Sequence, residues 1–336
     1  MCARIISFIA LIALVSCSSA SSGTVTPAEV TKVVMPTPTT TVATKVATPT
    51  PTLAEGSLVE VNFASKSLGG TLDYAVYLPA GYETSRLRYP VIYLLHGRGD
   101  NFASWARVKS ILDELIATNK IPPTIAVLPD APSSKRGNYF VDSEYTNADM
   151  PGARVETAFV RELIPQVDAA YRTLTDRAGR AVGGYSMGGY GALRYALAYP
   201  EIFSAAIVLS PAVYVPLPPA DSSTREFGAF GRGEMLFVDE IYQAKNYPAL
   251  LKGFTAKNLQ LRLFIAVGDD EYKNPKPEDA VHDIDFESHL LFNRVTRVPN
   301  ISAELRVLDG GHGWDVWKPA FREGALYIFR YMRPPE

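Results

Sequence analysis

Cysteine is almost missing from this chain: among 336 residues only Cys2 and Cys17 carry a thiol, and both lie at the N-terminus. The remainder therefore has no disulfide framework, no thiolate nucleophile and no cysteine-bound metal. Histidine is scarce too, limited to His96, His282, His289 and His312. Charge of one sign is not in excess, with a net charge of −2. Basic residues are scattered, so no nucleic-acid partner is expected, because phosphate binding needs a concentrated basic face. The apolar run Ile5–Val15 falls short of the roughly 20 residues that span a bilayer.

What is present divides the chain. Arg4 and the apolar run after it read as a signal peptide over residues 1–16. The run ends in Leu14-Val15-Ser16-Cys17, which resembles a bacterial lipobox. Such a cysteine becomes the lipidated N-terminus, so Cys17 is expected to attach an exported protein to a membrane at the cell surface. Cleavage after a nearby small residue such as Ala20, giving a secreted protein, is the alternative. Residues 17–56 are rich in Thr and Pro and lack aromatics, so they cannot bury enough surface to offset the entropy of ordering. They read as a disordered tether, stiffened by proline.

Residues 57–336 are enough for one domain with a fully buried sheet. Val91–Leu95, Thr124–Leu128, Ala205–Leu209 and Leu261–Val267 read as strands, three of them almost wholly apolar. Leu58–Phe63 and Leu72–Leu78 read as an antiparallel pair at the front. Helical patterns cover Trp105–Ala117, Arg154–Tyr171, Gly188–Tyr199, Pro277–Val298 and Trp314–Met332. This alternation predicts a single α/β domain with a mostly parallel central sheet flanked by helices. Residues 211–252 break the rhythm and read as an irregular, lid-like insertion, functional or merely superficial.

Gly184-Tyr185-Ser186-Met187-Gly188 fits the Gly-x-Ser-x-Gly nucleophile elbow. Such a five-residue match arises by chance in roughly one chain in ten of this length. Its context is more specific, since a strand over Arg180–Gly184 precedes the serine and a helix follows it. A serine hydroxyl needs a base, and in the α/β-hydrolase fold the partners follow in the order Ser, acid, His. His312, in the glycine-rich loop Asp309–Asp315 after a strand, is the expected base. His282 and His289 lie in a charged helical pattern and read as surface residues. The acid comes from Asp269, Asp270 or Glu271, which spacing alone does not separate. His96-Gly97-Arg98-Gly99 closes a strand, where a backbone N–H can face the oxyanion together with that of Met187; His96 itself reads as structural. His282-Asp283-Ile284-Asp285 is too loose for a metal site, and neither metal nor cofactor is expected.

Taken together, Leu78–Tyr82, Tyr89–Gly97, Gly184–Ala192 and Gly311–Trp314 resemble the esterase D / antigen 85 superfamily, from about Leu58 to the C-terminus. The resemblance implies an α/β-hydrolase fold, with Ser186 as nucleophile, His312 as base and the backbones of Arg98 and Met187 as oxyanion donors. It favours Glu271 as the acid over Asp270, although most members carry Asp there. It also implies that Asn138–Ser143 lines a substrate pocket. The expected activity is hydrolysis of carboxylic esters, feruloyl or acetyl sugar esters among them. An envelope acyltransferase like the mycolyltransferases and a non-catalytic glycan-binding lipoprotein are the alternatives. The S-formylglutathione hydrolase activity found in the superfamily does not suit an export address.

Overall fold

A computed structural model describes residues 54–132 and 134–336. The expected signal peptide, the expected lipidated Cys17 and nearly all of the expected tether lie outside the described residues. Eight strands form the main sheet: β1 (Ser57–Ser65), β2 (Gly70–Leu78), β3 (Val91–Leu95), β4 (Ile125–Pro129), β5 (Arg180–Tyr185), β6 (Ala205–Leu209), β7 (Leu261–Gly268) and β8 (Ile301–Leu308). Their spatial order is β1-β2-β4-β3-β5-β6-β7-β8. β1 pairs antiparallel with β2, and β2 antiparallel with β4; every later pairing is parallel. This is the mostly parallel sheet that the run of apolar segments predicts.

The helices are α1 (Lys109–Ala117), α2 (residues 155–170), α3 (Met187–Ala198), α4 (Asp239–Lys245), α5 (Tyr247–Lys257), α6 (Ile284–Val295) and α7 (Trp314–Ile328). Alternate residues of β3 explain why it reads as continuously apolar. Val91, Tyr93 and Leu95 face the layer holding Phe159 of α2 and Tyr195 of α3. Ile92 and Leu94 face the opposite layer, with Leu112 of α1 and Phe321 of α7. A strand covered on both faces has no solvent side on which to place polar residues.

Several boundaries differ from the sequence reading. The segment Phe102–Val108 winds as a 3-10 helix before α1 begins, with Asn101 capping it through Ala103 N–H. Pro277–His282 is also 3-10, and α6 starts only at Ile284. Residues Ala158–Leu163 within α2 take π geometry, which apolar periodicity does not signal. The insertion is not wholly irregular, since α4 and the start of α5 fall inside 211–252. These helices are short, and the glycines and prolines before them obscure the period. Among the described residues no helix is long and apolar enough to cross a membrane.

Candidate active site

The carboxyl ends of the parallel strands gather the site, as the crevice rule for open α/β sheets expects. Ser186 stands between the end of β5 and the start of α3 with φ 55° and ψ −120°. A non-glycine residue there is strained, at a cost of about 1–3 kcal/mol. The surroundings impose that conformation. Ser186 N–H donates to Leu209 C=O of the neighbouring strand at 2.9 Å, and its carbonyl accepts from Ala212 and Tyr190 N–H, both at 3.1 Å. The glycines of the motif are required by contact. A Cβ on Gly184 would stand 2.1 Å from Gly188 O, and one on Gly188 would stand 2.1 Å from Leu95 O.

His312 Nε2 lies 2.9 Å from Ser186 Oγ, and His312 Nδ1 lies 2.6 Å from Glu271 Oε2. With Nδ1–H donating to the carboxylate, the Nε2 lone pair is left to accept the serine proton. Glu271 is almost fully buried at 4% exposure, and its other oxygen accepts from Gly268 N–H at 3.3 Å. Asp269 and Asp270, the two acids before it, are exposed. Asp269 Oδ1 accepts from Gly310 N–H at 3.0 Å, and Asp270 N–H donates to Gly310 C=O at 3.0 Å. Both ties hold the loop that carries His312. Asp269, Asp270 and Asp309 each bring a carboxylate oxygen within 4.8 Å of the others at the surface, which needs no metal ion to explain it.

The aromatic cluster beneath His312 carried no local signal in the sequence. Trp317 packs edge-on against the imidazole, with ring centres 5.0 Å apart. Its indole N–H donates to Ser210 Oγ at 3.0 Å, and its ring stacks on Tyr185, the residue before the nucleophile. One side chain thus touches His312 while anchored at the end of β5 and just beyond the end of the neighbouring β6.

The loop Gly97–Gly99 follows β3, and Met187 opens α3, where the first N–H groups have no intrahelical acceptor. His96 is fully buried, with Nδ1 2.7 Å from Gly97 C=O, so it braces this loop rather than entering chemistry. Its Nε2 faces Asp130 Oδ1 at 3.3 Å, and Asp130 in turn takes two bonds from Arg136. His96 Nε2 itself accepts from Ala131 N–H at 3.0 Å; burial opposes ionisation of Asp130, but its polar surroundings, the two bonds from Arg136 among them, outweigh it and hold the carboxyl below the usual range.

A cavity of about 450 Å³ opens beside these groups, lined among others by Arg98, Tyr214, Ser222, Tyr272, Asn274 and His282. Arg98 belongs to the loop after β3 and Tyr272 follows Glu271, while residues 214–223 come from the insertion. The insertion is therefore a wall of the cavity and not a remote excursion. One expectation needs correction here. His282 is no free surface group: its Nδ1 lies 2.8 Å from Glu287 Oε1, a carboxyl that is completely buried. His289 alone fits the surface reading. The segment Asn138–Ser143 lies outside this cavity's lining: Asn138, Val141 and Ser143 line a separate, small cavity with Phe227 of the insertion, while Phe140 packs edge-on to His96 and its C=O accepts from Tyr195 OH at 2.7 Å.

Comparison with known proteins places this geometry. The Esterase family model matches residues 65–328. A segment of 171 residues is 34% identical to an endo-1,4-beta-xylanase/feruloyl esterase of Xylanibacter ruminicola, covering 48% of this chain and 22% of the relative. Another of 146 residues is 35% identical to an esterase of Mycobacterium tuberculosis, covering 43% of this chain and 30% of the relative. The matched segments thus span less than a third of either relative. A solved ferulic acid esterase superimposes with a TM-score of 0.67 at 25% identity, over 83% of this chain and 99% of that one.

Proposed function

The chain belongs to the Esterase family, and from that membership we propose that it is an exported serine carboxylesterase acting through a Ser186–His312–Glu271 triad. The observation that carries the reading is the continuous hydrogen-bonded line from Ser186 Oγ through the imidazole to a buried carboxylate.

In the proposed reaction Ser186 Oγ attacks the ester carbonyl carbon as its proton passes to His312 Nε2. Negative charge collects on the carbonyl oxygen, within reach of the Arg98 and Met187 backbone N–H groups. Glu271 holds the imidazole in the required tautomer and stabilises its charged form. Collapse of the tetrahedral intermediate breaks the carbon–oxygen bond, and the departing alkoxide takes the proton from His312. Water then repeats the sequence on the acyl-enzyme: His312 takes a proton from it, the carboxylic acid leaves, and Ser186 Oγ regains its hydrogen. No cofactor enters.

The names of its relatives support feruloyl esters as substrates. Export with lipid attachment at Cys17 rests on the sequence pattern alone. Both are tested directly. Purified protein is assayed with 4-nitrophenyl acetate and methyl ferulate beside Ser186→Ala and His312→Ala, which should lose about 10⁴-fold or more in kcat. Absence of turnover by folded wild type with every ester tried would sink the esterase reading. Metabolic labelling with a tagged fatty acid should mark the wild-type chain and leave Cys17→Ser unmarked.

A further inference from the structure

The loop that carries the base has little stiffness of its own. His312 follows Gly310 and Gly311 and precedes Gly313, and Gly310 has φ 136°. Glu271 fixes Nδ1 at 2.6 Å, but one hydrogen bond leaves the ring free to turn about the line of that bond. The contact between Nε2 and Ser186 Oγ cannot stop the turn, because the reaction breaks it. A second fixed contact is required. Trp317 makes it, edge-on to the imidazole, with ring centres 5.0 Å apart and planes at 87°.

We propose that Trp317 is the positioning residue of the base. Together with Glu271 at Nδ1 it fixes the plane of the imidazole, so that Nε2 takes the proton from Ser186 Oγ and then delivers it to the oxygen of the departing alcohol. The proposal rests on the triad reading and adds to it a residue that touches no reacting atom.

Trp317 suits this role because it is itself held on several sides. It lies buried in the first turn of α7, where its backbone N–H donates to Gly313 C=O at 2.9 Å, one residue past His312. Its indole N–H donates to Ser210 Oγ at 3.0 Å. Ser210 is fully buried, and its own N–H bonds Ala266 C=O of β7 at 2.7 Å. A purely space-filling side chain would need no polar partner, whereas the bonded indole N–H sets the angle of the ring. The ring stacks on Tyr185 with centres 4.3 Å apart and planes 24° from parallel. Tyr185 is fixed in turn. Its hydroxyl donates to Asp100 Oδ2 at 2.5 Å, and a Cβ on Gly97 would stand 2.5 Å from its ring. Trp105 and Trp314 close around the same ring at 5.3 and 5.0 Å. One aromatic block thus refers the imidazole to the residue before the nucleophile and to the loop after β3.

The second proton transfer makes the role measurable. A 4-nitrophenolate is a stable anion that leaves without a proton, whereas a benzylic alkoxide must take one from His312. The test compares kcat/KM for 4-nitrophenyl acetate and 4-nitrobenzyl acetate, which share the acyl group and the nitroaryl ring. In Trp317→Leu it should fall about tenfold on the first and about a hundredfold on the second, widening their ratio about tenfold. Trp317→Phe keeps a ring against Tyr185 but loses the tie to Ser210. It should widen the ratio about threefold, and it carries the test if Trp317→Leu does not fold. Phe321→Leu, further along α7 in the same core layer, should leave the ratio unchanged. Partial unfolding lowers both rates alike, so a ratio still at the wild-type value in folded Trp317→Leu, or in Trp317→Phe in its place, overturns the positioning role. An equal widening in Phe321→Leu overturns it too. So does wild type active on the nitrophenyl ester alone, since no proton would then be reaching an alkoxide. Wild type inactive on both esters, or activity that survives Ser186→Ala, overturns the parent reading instead.

Discussion

At the scale of single residues, three acids stand in a row and geometry assigns each a different task. The Asp269 carboxylate ties the backbone of the His312 loop, Asp270 meets that loop only through its own backbone N–H, and Glu271 turns inward to the imidazole. Sequence spacing could not choose among them, because the choice depends on which way each side chain leaves the turn after β7. The two-to-one split between burial and exposure does separate them. Glu271→Gln keeps the shape but cannot stabilise an imidazolium, so kcat should fall about 10⁴-fold. Asp270→Asn should stay within a few-fold of wild type. Steady-state kinetics on 4-nitrophenyl acetate checks both, and a collapse in Asp270→Asn with an active Glu271→Gln would reverse the assignment. His282 shows the opposite limit of reading by pattern. Its partner lies five positions along in a charged stretch, and nothing in that stretch reveals that Glu287 faces inward.

At the scale of elements, the loop Gly97–Gly99 depends on residues that arrive from another strand end. β3 delivers His96 and Gly97, while the segment after β4 delivers Asp130 and Arg136. Arg136 C=O also accepts from Gly99 N–H at 3.4 Å. The strands themselves were legible, because doubly covered β3, β4 and β6 must be apolar throughout. The elbow was legible as well, since its contacts leave no room for Cβ atoms at Gly184 and Gly188. The brace between β3 and β4 was not, because it joins residues about thirty positions apart through side chains with no shared motif. Asp130 provides a pH test of that brace. Its carboxyl titrates below the unfolded value, so its contribution is present above pH ~4 and is lost as pH falls through the folded pKa. Asp130→Asn should therefore cost about 1.5–3 kcal/mol near neutrality. Urea unfolding of the two proteins should show the gap closing below pH ~4. A gap that persisted unchanged at pH 3 would mean that Asp130 acts without its charge.

At the scale of the whole domain, the insertion must be held against the body if it is to wall the cavity. Part of that hold is a buried ion pair. Arg194 of α3 makes two bonds of 3.0 Å to Glu156 of α2, and its third nitrogen donates to Lys245 C=O at the end of α4 at 2.8 Å. Tyr199 OH adds a bond to Glu156 at 2.7 Å. One guanidinium thus joins α2, α3 and the insertion helix. Replacing it strands a carboxylate that is 95% enclosed, while Lys245 C=O keeps its bond from Tyr190 OH at 2.9 Å. Arg194→Met should accordingly cost about 3–5 kcal/mol, because the desolvation of Glu156 remains while its partner is gone. For a domain of this size that lowers Tm by roughly 6 °C or more. Adding Glu156→Leu removes the stranded charge, so the double variant should recover much of the loss. The bond to Lys245 stays missing in both, which separates two roles of the arginine. If the double variant regains Tm but still shows a raised KM for 4-nitrophenyl acetate, the pair serves stability while the carbonyl bond positions the cavity wall. If Tm and KM recover together, the ion pair alone sets both, and the insertion is held by its aromatic contacts, in which Phe230 packs on Tyr190 and Tyr242.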